Sequence, residues 1–141
     1  MMLAKPLRVL GIVGALMAGT ADAQVVTVVA ADSPIDTLSR REVANIFLGK
    51  ARQFPDGRPA QPIDLPETSA QRSAYYLAIS DKHPADLKAY WSKMIFTGRG
   101  QPPPVVDDAE AMKNTLARQP NAIGYIDDAA LDARVKVVVV R

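Results

Sequence analysis

The chain is 141 residues long, with 17 lysines and arginines against 15 aspartates and glutamates, one histidine and no cysteine. That length allows one domain with its own core, and the missing cysteines exclude disulfides, so packing must hold the fold. The near balance of charge, with no basic block interleaved with aromatics, gives no footprint for nucleic acid. One histidine without cysteine leaves no ligand set for a structural zinc.

Residues 1–23 read as an export signal. Lys5 and Arg8 supply a positive start, an apolar run from Val9 to Ala18 follows, and Ala21-Asp22-Ala23 is a signal-peptidase pattern that predicts Gln24 as the first mature residue. The run is too short to anchor the chain across a bilayer. No cysteine offers a lipid attachment point, and no later run is long enough for a membrane helix. The expected organisation is a signal peptide over 1–23 and one domain over 24–141, located in the periplasm. Loss of Lys5, Arg8 and Asp22 brings the mature chain still closer to neutrality.

The continuous apolar, β-branched run from Val25 to Ala31 predicts a strand buried on both faces. After a connector containing Pro34, Ser39 and Glu42 form a capping-box pair that opens a helix; Val43, Ile46 and Phe47 share its inner face, and Gly49 stops it. Pro55-Asp56-Gly57 is a turn, and Ile63 and Leu65 belong to a short strand ended by Pro66. Thr68 and Gln71 repeat the capping-box spacing and start a second helix through Tyr75, Tyr76 and Ile79. His83-Pro84 opens a third, proline being tolerated at the first helical position, with Leu87, Tyr90, Trp91, Met94 and Ile95 at the spacing of one buried face. Pro102-Pro103-Pro104 forces an extended stretch. Asp107 and Glu110 cap a fourth helix carrying Met112 and Leu116, and strands follow over Ala122 to Ile126 and Val135 to Val140. Helices alternating with short apolar strands predict a layered α/β domain.

In chain order, Ile46-Phe47-Leu48-Gly49-Lys50, Phe54-Pro55-Asp56-Gly57, Pro62-Ile63-Asp64-Leu65, Tyr90-Trp91, Thr97-Gly98-Arg99-Gly100 and Asn121-Ala122-Ile123-Gly124-Tyr125 resemble one lobe of the periplasmic phosphate-binding proteins that serve ABC importers. The resemblance covers nearly the whole chain after Ala23. It implies a single lobe of a type 2 periplasmic binding protein (a PBP-like domain), with a mixed, mostly parallel sheet flanked by helices. Val25 to Ala31 and Val135 to Val140 would then be the strands that cross to a second lobe. The full proteins hold their anion between two lobes, and the mature chain is long enough for one.

Thr68, Ser69, Gln71 and Arg72 are the leading candidate ligand-binding residues. They follow a strand end and open a helix, where free amides and the positive dipole end favour an anion. Ser69 adds a hydroxyl and Arg72 a charge; the alternative reading of the segment is an ordinary helix cap. The resemblance places Ser69 at the serine of a Ser-Gly-Thr turn, with Ala70 in place of the glycine and Gln71 in place of the threonine. Leu65 stands where the family has an arginine, and a leucine cannot supply that bidentate donation. Arg99, in the loop Thr97-Gly98-Arg99-Gly100-Gln101, is a candidate to return the lost charge to the same cleft; otherwise it is a solvated residue beyond the helix stop at Gly98. That loop lacks the Lys-Ser/Thr ending of a nucleotide-binding loop.

Enzyme chemistry finds no motif. There is no Gly-x-Ser-x-Gly elbow and no Cys–His pair. Asp107-Asp108 and Asp127-Asp128 lie at helix starts, where they complement the dipole, and lack calcium-loop spacing. No catalytic residue, metal or cofactor is expected. Two functions remain: a periplasmic solute-binding-like protein that takes phosphate or a similar oxyanion weakly at a helix N-terminus, or a ligand-free interaction module that has kept the lobe and lost the anion. A homodimer or an envelope protein would then cover the face formed by Thr68 to Arg72 and the loop Thr97 to Pro104.

Overall fold

A computed structural model describes residues 24–141; the signal sequence expected over 1–23 lies outside the described residues. Strand β1 (Val25–Ala30) is followed by a short strand β2 (Thr37–Leu38), helix α1 (Arg40–Phe47) and strand β3 (Gln61–Pro62). Helices α2 (Ala70–Ser80), α3 (Pro84–Phe96) and α4 (Ala109–Arg118) come next, and strands β4 (Ala122–Asp127), β5 (Val135–Val137) and β6 (Val139–Val140) close the chain.

The main sheet has the order β3-β4-β1-β5. β3 is parallel to β4, while β1 runs antiparallel to both β4 and β5, so β3, β4 and β5 point one way and β1 opposes them. The sheet is therefore mixed, and mostly parallel in strand direction, as expected. The parallel β3–β4 pair is separated in sequence by three helices, as parallel neighbours require a long crossover, whereas β1 enters between β4 and β5 without one. The stretch Val135 to Val140, expected as one strand, divides: the Val138 amide still donates to the Thr27 carbonyl of β1, and the Val139 amide already donates to the Asp36 carbonyl. From there β6 pairs in parallel with β2, a short strand that begins at Thr37, where the expected connector ends.

The first helix forms as its residues dictate. Ser39 Oγ accepts from the Glu42 amide at 3.0 Å and Glu42 Oε1 accepts from the Ser39 amide at 2.9 Å, closing the capping box. Gly49 ends the turn at φ +72°, and a side chain there would also press on the Trp91 ring, 3.3 Å from where its Cβ would sit. The two later caps fall one residue beyond the expected positions: Ser69, not Thr68, caps α2 by accepting from the Arg72 amide, and Asp108, not Asp107, caps α4 by accepting from Ala111. At each place two adjacent polar side chains compete, and the one already extended at the helix boundary wins.

The core gathers Phe47, Tyr75, Tyr76 and Tyr125 between α1, α2 and β4, with Tyr75 and Tyr125 stacked at 4.2 Å and Phe47 edge-on to Tyr75 at 5.1 Å. Helix α3 covers this core through Leu87 and Trp91, and the Tyr90 hydroxyl ties it to α1 by donating to the Leu48 carbonyl at 2.6 Å. Its last turn runs beyond the body, so Ile95 is 49% exposed, against expectation, and Phe96 is 92% exposed.

Candidate functional site

The element ends around β3 are organised by a buried carboxylate. Asp64 is 2% exposed. Its Oδ2 accepts from the Tyr76 hydroxyl at 2.8 Å, its Oδ1 accepts from the Tyr125 hydroxyl and from the Leu65 amide, and Arg72 Nε lies 3.4 Å from Oδ2. The Arg72 guanidinium also lies over the Tyr76 ring, 5.2 Å from its centroid. Burial, and then the charge of Asp64, push the hydroxyls of Tyr76 and Tyr125 well above the ordinary tyrosine range. These hydroxyls stay protonated and donate to the carboxylate, which is what makes a charge tolerable in the core. The Asp64 backbone joins two loops as well, its amide donating to Pro104 at 2.8 Å and its carbonyl accepting from Val106 at 2.9 Å.

Those two loops wall a cavity of about 310 Å³ at the C-terminal ends of β3 and β4. Thr68, Ser69 and Gln71 line it from the start of α2, and Asp107, Asp108 and Ala109 from the start of α4. Two helix N-termini thus converge on one space, each presenting first-turn amides that no intrahelical acceptor can satisfy. Gln71 links the walls: its Oε1 accepts from Ser69 Oγ at 3.1 Å and its Nε2 donates to Asp127 Oδ2 at 3.0 Å.

Three of the five candidate residues, Thr68, Ser69 and Gln71, therefore come together in the cavity wall. Arg72 is not in that wall; its side chain is 13% exposed and faces Asp64. Arg99 is also outside it, exposed at the end of α3, where its amide folds back onto the Met94 carbonyl. Leu65 does line the cavity, so the position that the resemblance assigns to an arginine is present in space and apolar in chemistry. Among the described residues no lysine or arginine lines the cavity, and three carboxylates do: Asp107, Asp108 and Asp127. Sequence reasoning took these aspartates only as dipole partners and missed Asp64, whose signal was an acid set inside the apolar stretch Ile63 to Leu65.

A second, larger cavity of about 850 Å³ opens at the other end of the same strands, between the end of α1, the segment Gly100 to Pro104 and the turn from Arg118 to Asn121. Among the described residues no cluster of His, Cys, Asp or Glu could hold a metal ion, and no helix is long and apolar enough to cross a membrane.

No family model matches the chain, and no curated protein sequence matches it. Solved structures do. A protein of Clostridium perfringens solved with bound phosphate and assigned as a phosphate ABC transporter substrate-binding protein superposes with a TM-score of 0.65 at 20% identity, covering 84% of this chain and 45% of that one. An ABC-type phosphate transport receptor of Vibrio cholerae gives 0.67 at 17% identity, with 84% and 46% covered. PstS of Borrelia burgdorferi gives 0.58 at 12% identity, with 84% and 47% covered. This chain spans about half the length of each, and at these identities the likeness is one of fold. The chain folds as a single PBP-like lobe, similar to one half of the phosphate-binding proteins of ABC importers.

Proposed function

We propose that the protein is a non-enzymatic, solute-binding-like lobe of the periplasm whose α2/α4 cavity receives a small oxyanion that carries its own protons, phosphate above all. The observation behind this reading is the convergence of two helix N-termini on one cavity whose side chains include three carboxylates and no cation. First-turn amides and the Thr68 hydroxyl offer donors to an anion's oxygens, and the Ser69 hydroxyl would join them by turning its proton from Gln71 Oε1 to the ligand. A carboxylate in the same wall repels a bare dianion but accepts a hydrogen bond from a protonated one. Asp108 is held by the Ala111 amide and Asp127 by Gln71, so both are fixed acceptors. Sulfate brings no proton at neutral pH, and phosphate brings at least one.

Binding is weak by this account. Arg72 is engaged by Asp64, Arg99 stands outside the wall, and a single lobe leaves half the ligand in water. Three or four hydrogen bonds at about 1 kcal/mol each correspond to about millimolar affinity. Calorimetry of the mature protein tests the reading: phosphate should bind more tightly than sulfate, and Ser69→Ala should weaken it about threefold to tenfold. Equal binding of the two anions would contradict it.

A second reading is favoured by the same engagement of Arg72. A lobe whose Arg72, at the start of α2, is turned to an internal carboxylate fits an envelope interaction module that has kept the fold and lost the ligand. Absence of any oxyanion response, with the fold intact, would leave that reading.

A further inference from the structure

The larger cavity is not explained by either helix N-terminus. It is an open groove at the N-terminal ends of β3 and β4, at the opposite end of these strands from the α2/α4 cavity, which lies at their C-terminal ends. Among the described residues its walls contain no aspartate or glutamate, and their charged groups are Arg52 and Arg118. Both arginines are exposed, and among the described residues neither makes an ion pair; Arg118 Nε only returns to the Asn114 carbonyl of its own helix. Elsewhere on the surface some cations are paired, as Arg134 with Glu110 and Asp132 or Arg40 with Asp81, while others, such as Arg41, Lys50, Lys88 and Arg99, make no ion pair among the described residues. In the groove two such unpaired cations, Arg52 and Arg118, stand beside apolar walls, and no carboxylate among the described residues lines it.

The walls themselves are stiff. Six of the lining residues are prolines, including the run Pro102-Pro103-Pro104, and Trp91, 5% exposed, contributes to the lining with an indole N–H that has no acceptor. Prolines present rings and carbonyl oxygens without amide donors and lose little entropy on docking, which suits contact with an extended chain lying along them. β3 is the outer strand of the sheet, and Pro62 removes an amide there, so an incoming segment would be held by side chains and charge and not by extending the ladder.

We infer that this groove docks an extended, acidic segment of a partner protein, with Arg52 and Arg118 as its anion contacts. The inference deepens the interaction-module reading and does not depend on oxyanion binding at the other end of the sheet.

Fluorescence anisotropy at low salt tests it with two labelled nine-residue peptides, three Glu-Leu-Pro repeats and three Lys-Leu-Pro repeats. The acidic peptide should bind saturably and at least about tenfold more tightly than the basic one, and Arg52→Ala with Arg118→Ala should cost about tenfold in its affinity while leaving the melting temperature unchanged. Ser69→Ala should leave peptide binding as it was, which separates this result from the fate of the phosphate reading. Equal binding of the two peptides, no saturable binding, or indifference to both arginine substitutions would overturn the inference. Self-association abolished by Arg118→Ala, without peptide binding, would give the groove to a second copy of the chain. Displacement of the acidic peptide by millimolar inorganic phosphate would give it to a small anion. Either outcome also overturns the inference.

Discussion

Arg72 Nε lies 3.4 Å from Asp64 Oδ2, with the two side chains 13% and 2% exposed, so the charge nearest the start of α2 is held by the core. Asp64 is accordingly a stability residue. Asp64→Ala would strand the Tyr76 and Tyr125 hydroxyls and the Arg72 charge at once, and should cost about 3–5 kcal/mol. Asp64→Asn keeps a carbonyl acceptor and should cost less, about 1–3 kcal/mol. Urea denaturation of both variants checks the order, and equal midpoints for wild type and Asp64→Ala would refute it.

Gly124, in the middle of β4, is required by the approach of α4. A Cβ there would collide with the sulfur of Met112, which is fully buried. Gly124→Ala should destabilise by about 1–3 kcal/mol through overpacking. Combined with Met112→Ala, which vacates that space, the loss should be clearly less than the sum of the two single losses, as measured by a double-mutant cycle.

Alkaline pH should reveal the tyrosine cluster. Burial pushes Tyr75 up, and burial followed by the charge of Asp64 pushes Tyr76 and Tyr125 up, all from an ordinary value of 10.0. The folded state thus holds these protons more tightly than the unfolded chain. The stability so gained is complete below the ordinary value and is lost as the pH rises beyond it. Absorbance titration near 295 nm should show Tyr90, the least buried of the four tyrosines, ionising in the folded protein, and the other three only with unfolding. Reversible ionisation of all four without loss of circular dichroism would contradict the cluster.

Acid should act through the opposite sign at the α4–β5 corner. Hydrogen bonds from the Arg134 side chain hold Asp132 and Glu110 below their ordinary values of 3.8 and 4.5. Depressed folded values mean stability that is present above the ordinary carboxylate range and lost as the pH falls below it. Arg134→Ala should therefore flatten the fall in melting temperature below about pH 4. An unchanged acid limb would show that the exposed network contributes nothing.

What the sequence made legible follows from how local each feature is. The Ser39–Glu42 box, the Gly49 stop and the burial of Tyr75, Tyr76 and Trp91 depend on neighbours within a turn or two, and their residues announce them. The ordered motifs also pointed to the single PBP-like lobe. Three things were set by distant partners and stayed hidden. Ile95 has core spacing, yet α3 extends past the body it covers. Arg72 has the position of an anion ligand, yet a carboxylate eight residues earlier in the chain lies beneath it. Asp107, Asp108 and Asp127 are dipole complements in sequence, and only the folding together of β3, β4, α2 and α4 makes them the wall of one cavity.

The most direct test of the oxyanion account is a titration of residues 24–141, isotopically labelled, with phosphate and with sulfate, followed by amide chemical shifts. The account predicts millimolar, saturable shifts for phosphate centred on the amides of Ala70, Gln71 and Ala109, stronger at pH 6 than at pH 8, and much weaker shifts for sulfate. Equal responses to the two anions, or phosphate shifts that leave those amides unmoved, would contradict it.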